Sequence, residues 1–174
     1  MDDRTVKRLL GRLPGGRRLF RSQVEPPAHW RGPTGAPKVL IEEYDSALGE
    51  AMATALESAG YQTALCTGPG RHGEGSCPLA DGAGCGAVDA ADVALQVLAP
   101  HDHAMDDVRK AIQDHDPDLP IAIMAPAATA ARYPDLVDGT RVWTGSLSSS
   151  GVVAAVDQAL IAAQPPGRGE CHPV

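Results

Sequence analysis

Residues 38–63, KVLIEEYDSALGEAMATALESAGYQT, decide the fold. KVLIE is a short apolar run of the kind that forms a strand buried on both faces of a parallel sheet. Asp45 stands where a helix N-cap belongs, and SALGEAMATALESAG places Leu48, Met52, Ala55, Leu56 and Ala59 on one helical face. Gly60 is the expected stop, and YQTALC reads as a second strand.

The same alternation continues towards the C-terminus. ADVALQVLA is a third strand, followed by AMDDVRKAIQDH with Val108, Ala111, Ile112 and His115 at helical spacing. LPIAIMAP makes a fourth strand, AATAARY a weak short helix and TRVWTG a fifth strand. SSSGVVAAVDQALIAAQ is a closing helix capped by one of its serines. Strands alternating with helices predict an α/β domain over residues 38–163, a parallel sheet with helices on both faces. One helix is missing from the series. Between the second and third strands stands CTGPGRHGEGSCPLADGAGCG, with seven glycines between Cys66 and Val88 and prolines at 69 and 78. Such a composition opposes a continuous helix, so the second helix is expected to be replaced by a Gly/Cys-rich loop.

Residues 1–37 read as a basic N-terminal segment, with a short helix over 3–13 and a Pro/Gly-rich linker over 22–37. Residues 164–174 read as a flexible tail. Residues 1–38 hold nine Lys/Arg against three Asp/Glu, and the remainder holds six against nineteen, for an overall net charge of -7. The acidic body argues against nucleic-acid binding by the domain, while the basic head suits an acidic partner, a membrane surface or the body of its own domain. No stretch approaches the ~20 apolar residues of a membrane span, and no apolar run of signal-peptide length opens the chain. The chain therefore reads as cytoplasmic, and its Ala, Gly, Pro and Arg bias as bacterial.

Residues 38–63 resemble the opening of a bacterial response-regulator receiver domain: the strand, the acidic residues, the amphipathic helix and the "GY" before the second strand. The resemblance extends through strand–helix order over residues 38–163. It implies a flavodoxin-like five-stranded sheet of order 2-1-3-4-5, with the site at the carboxyl ends of the strands. It also implies where the family's phosphorelay residues fall. The acidic pair that holds Mg²⁺ falls on Glu43 and Tyr44, and the phosphoacceptor Asp on Val97. The Ser/Thr after strand four falls on Ala125, and the Lys after strand five on Gly145. Valine cannot carry a phosphoryl group, because an aspartyl phosphate needs a carboxylate nucleophile, an oxygen-ligated cation and a lysine for the phosphoryl oxygens. The resemblance thus implies a pseudo-receiver, a phosphorylation-independent signalling or regulatory module that acts by protein binding and is not an enzyme. A protein partner and a second copy of the chain are the candidate partners.

The loop supports a second reading. Cys66, His72, Cys77 and Cys85 follow one another in it, and thiolates with a histidine suit Zn²⁺ or part of an iron–sulfur cluster. The spacing C-x5-H-x4-C-x7-C matches no strong metal signature. A metal or cluster, a thiol–disulfide pair and three unrelated cysteines stay open as alternatives. His101-Asp102-His103, with Glu42, Glu43 and Asp45, lies at the same sheet edge. It reads foremost as a polar turn before a helix whose first-turn aspartates complement the dipole.

Overall fold

The computed structural model describes residues 29–68, 77–98 and 103–163, with the backbone only at 103–105 and 136. The expected helix over 3–13, the tail 164–174, His72, His101 and Asp102 lie outside the described residues. Five parallel strands stand in the order β2-β1-β3-β4-β5. They are β1 (Lys38–Glu42), β2 (Gln62–Cys66), β3 (Val93–Val97), β4 (Ile121–Met124) and β5 (Arg141–Trp143). The connections carry α1 (Ser46–Ser58), α2 (Gly86–Ala90), α3 (His103–His115), α4 (Ala127–Arg132), a 3₁₀ turn (Pro134–Leu136) and α5 (Ser149–Ala163).

Both faces of the sheet are buried, and the two-residue period of each strand feeds two cores. Val39, Ile41, Val93, Leu95 and Met124 pack with Met52 and Leu56 of α1 and Val152, Val156 and Ala159 of α5. Leu40, Ala94, Ile121 and Ile123 face the other way, towards Val88 of α2 and Val108 and Ile112 of α3.

α1 begins as expected: Asp45 accepts from the N–H groups of Ala47 at 3.0 Å and Leu48 at 3.2 Å. It ends before Gly60, whose φ of 94° lies in the left-handed region that glycine adopts freely. Its buried face is Gly49, Met52, Ala53 and Leu56, rotated from the expected one, so that Ala59 is exposed. The cause is close packing on β2, where a side chain at Gly49 would come within 2.6 Å of Leu65 Cδ1. α5 is capped by Ser148, whose Oγ accepts from the Gly151 N–H at 3.2 Å.

Two departures from the sequence reading matter for the site. The Gly/Cys-rich stretch is not wholly loop, because GAVDA forms the five-residue α2 just before β3. Val88 anchors it in the second core, and Asp89 pairs with His115 Nε2 at 2.8 Å. That contact draws His115 away from the apolar face of α3. The last part of the expected linker, residues 29–37, is also packed onto the domain. Arg31 exchanges two backbone hydrogen bonds of 2.8 Å with Thr63, covering the outer edge of β2 as exposed sheet edges require. Its guanidinium meets Glu50 at 2.8 Å and Glu57 at 2.9 Å. Trp30 packs against the second core, with Lys38 Nζ 5.5 Å from its ring centroid.

Candidate functional site

The five positions that the receiver resemblance names stand at the carboxyl ends of the strands: Glu43 and Tyr44 after β1, Val97 ending β3, Ala125 after β4 and Gly145 after β5. Glu43 follows β1 directly. Its N–H donates to the Cys66 carbonyl at 3.0 Å, and its buried carboxylate accepts from the Asp45 N–H at 2.9 Å. That carboxylate shapes the turn into α1. Tyr44 is half-buried beside it. Val97 closes β3 next to Met124 of β4 and packs against the first core as an ordinary apolar side chain. Ala125 is buried and donates its N–H to the Trp143 carbonyl at 2.9 Å.

Gly145 is the most informative of the five. A Cβ built there would lie 2.5 Å from Nε1 of Trp143 and 2.6 Å from its Cε2. The indole therefore covers the position from which a lysine would have to extend. The chemistry of this donor set does not fit Mg²⁺ either. A hard cation of octahedral preference needs carboxylate oxygens; of the three positions the family uses for it, Glu43 alone is a carboxylate and is already bonded to backbone, with a phenol at 44 and an isopropyl group at 97.

Behind this edge, on the second-core face, lies a buried polar row that the sequence reading did not single out as a unit. Glu42 ends β1 between Cys66 of β2 and Gln96 of β3. It is 2% exposed, Gln96 is also buried, and Arg109 of α3 is 3% exposed. Burial pushes the Glu42 carboxyl from 4.5 up to about 8, while the Arg109 charge pulls it down. Arg109 is held by Asp106 and by Gln113 Oε1, the latter at 3.0 Å. For Asp106, burial favours the neutral form, but hydrogen bonds from Lys110 and Arg109 outweigh it and hold the carboxyl below its usual value. One signal pointed to this row: a glutamine inside the apolar run VALQV and a glutamate ending KVLIE, at positions where the period faces them inward.

The cysteines of the loop gather on this same face. Cys77 is buried at 9% exposure, and Cys66 and Cys85 are half-buried against the cluster that also contains Leu79, Ala64 and Val88. All three are free thiols. Burial raises Cys66 to about 11; the Gly68 backbone pulls it down, and the charges of Glu42, Cys77 and Cys85 add to the rise. Among the described residues, no group of three or more His, Cys, Asp or Glu side chains is arranged to hold a metal ion. His72, the fourth candidate ligand, lies outside those residues. No described helix is long and apolar enough to cross a membrane.

No protein-family model matches the sequence, and no curated protein matches it. Solved structures do match. A response regulator receiver protein from Sinorhizobium medicae aligns with a TM-score of 0.51 at 18% identity, over 75% of this chain and 98% of that one. The non-phosphorylated HemR receiver domain from Leptospira biflexa aligns at 0.51 and 19% identity, over 75% and 99%. A putative pilus assembly protein from Burkholderia thailandensis aligns at 0.52 and 17% identity, over 74% and 99%. The fold is thus the CheY-like, flavodoxin-like receiver fold.

Proposed function

We propose that this chain is a receiver-like regulatory module that works by contacting a protein partner and does so without phosphorylation. The observation that carries this reading is the Trp143 indole, which would stand 2.5 Å from any Cβ at position 145, taken with Val97 at the end of β3. The lysine position is filled by an indole, and the acceptor position is a half-buried apolar side chain packed against the first core. A receiver switch works by differential stabilisation of two states by the phosphoryl group. Without a place to put that group, the fold is left as a surface in one fixed state. The basic head, with nine Lys/Arg in residues 1–38, is the segment suited to an acidic partner in the cytoplasm.

The test is to add Mg²⁺ and beryllofluoride, which mimics a phosphoryl group on a carboxylate, and to follow backbone amide resonances. No saturable shifts are expected at 43–45, 97–98 or 144–146. Saturable shifts confined to those residues would overturn the reading.

A further inference from the structure

We propose that Cys66 and Cys77 form a reversible dithiol–disulfide site, oxidised by a hydroperoxide, beneath the segment that stands in place of a full second helix. The proposal is independent of the receiver-like reading. Its basis is the convergence of side chains from two separate elements. Cys66 ends β2 on the second-core face, and Cys77 begins the segment that leads to α2. Both pack in one cluster with Leu79, Ala64 and Val88. Cys77 is the most deeply buried of the three thiols in that cluster, and Cys85, which packs against the same cluster, is the competing partner that the experiment separates from it. Between Cys77 and Ala87, Leu79 is the one large aliphatic side chain, so two of the anchors of a glycine-rich segment are thiols. Alanine or valine would anchor it as well; only cysteine adds redox chemistry.

In the first step the Cys77 thiolate attacks one peroxide oxygen. The O–O bond breaks, and the other oxygen leaves as water once protonated, giving a sulfenic acid at Cys77. In the second step the Cys66 sulfur attacks the Cys77 sulfur. The S–S bond forms, the S–O bond breaks, and the hydroxyl departs as water with the Cys66 proton. Two thiols lose two electrons, and one hydrogen peroxide becomes two waters. A small thiol returns the pair to the reduced state by exchange.

The experiment uses the full chain carrying Cys171→Ser, which removes the fourth cysteine of the sequence, treated with hydrogen peroxide and digested with trypsin without reductant. Cleavage after Lys38, Arg71 and Arg109 puts Cys66 in peptide 39–71 and both Cys77 and Cys85 in peptide 72–109. A Cys66–Cys77 disulfide joins the two peptides, whereas a Cys77–Cys85 disulfide leaves them separate. The expected result is the joined pair, two of three thiols consumed, and full recovery with dithiothreitol. The joined pair should persist in Cys85→Ser and vanish in Cys77→Ser. Fragmentation of the joined pair between Cys77 and Cys85 locates the bond in the Cys171→Ser chain itself, so the test stands even where Cys77→Ser or Cys85→Ser fails to fold. Separate peptides, three thiols still free after peroxide, a joined pair that depends on Cys85, or stoichiometric zinc on the purified protein would each overturn the proposal.

Discussion

Replacing Glu42 by Gln should stabilise the protein progressively as pH rises. The carboxyl is 2% exposed, and burial lifts it from 4.5 to about 8 against the pull of Arg109. A carboxyl with a raised pKa holds its proton more tightly in the folded state than in the unfolded one. Its contribution to stability is complete below the unfolded value of 4.5 and is lost as pH rises through about 8. At 1.36 kcal/mol per pH decade, this group alone removes about 3 kcal/mol of stability from the parent protein between about pH 5 and 8. Glutamine keeps the shape and hydrogen-bonding capacity of the neutral acid and does not titrate. The difference in unfolding free energy, variant minus parent, should therefore grow by about 3 kcal/mol over that interval. Urea unfolding at constant ionic strength measures it, and an unchanged m-value confirms that the compactness of neither state has moved. A difference flat to within ~0.5 kcal/mol, comparable to the extrapolation error, would refute the reasoning. Glu42 would then ionise as readily in the fold as in the unfolded chain, and the buried row at this edge would be wrongly described.

Other perturbations test neighbouring parts of the account. Gly151→Ala places a Cβ 2.1 Å from the Ser146 carbonyl oxygen; backbone must shift, and a loss of about 1–3 kcal/mol in urea unfolding is expected. Trp30→Ala removes the indole that ties residues 29–37 to the second core. With ~1 kcal/mol moving a domain of this size by ~2–4 °C, a fall of several degrees in calorimetry is expected; no change would mean that the segment is not docked. Val97→Asp restores a carboxylate to the end of β3 but leaves Trp143 over Gly145. Intact mass after acetyl phosphate with Mg²⁺ should still show no phosphoryl adduct on this variant.

The β1–α1–β2 unit was legible because three local signals agree in it: an apolar strand, an Asp45 cap and an amphipathic helix stopped by Gly60. The exact buried face of α1 was not legible. A helical period cannot reveal that Gly49 lets the helix close onto Leu65, which turns Ala53 inward and Ala59 out. α2 was hidden because glycine composition was averaged over the whole Cys66–Val88 stretch, while GAVDA itself is a compact run around the buried Val88. The docking of residues 29–37 depends on Arg31 finding Glu50, Glu57 and the free edge of β2, contacts that no local pattern contains. The strand ends that carry positions 43, 44, 97, 125 and 145 were legible from the strand pattern. The Trp143 indole over Gly145 and the Glu42–Gln96–Arg109 row were not, since both arise between side chains of different elements. The gathering of Cys66, Cys77 and Cys85 on one face was likewise beyond what their irregular spacing could decide.

The central claim is that this receiver fold carries no phosphoryl switch. Its most direct test is intact-mass measurement of the full chain incubated with acetyl phosphate and Mg²⁺. The account predicts the unmodified mass at every time point. A stoichiometric phosphoryl adduct, removed by hydroxylamine and mapped to a carboxylate of residues 38–163, would contradict it.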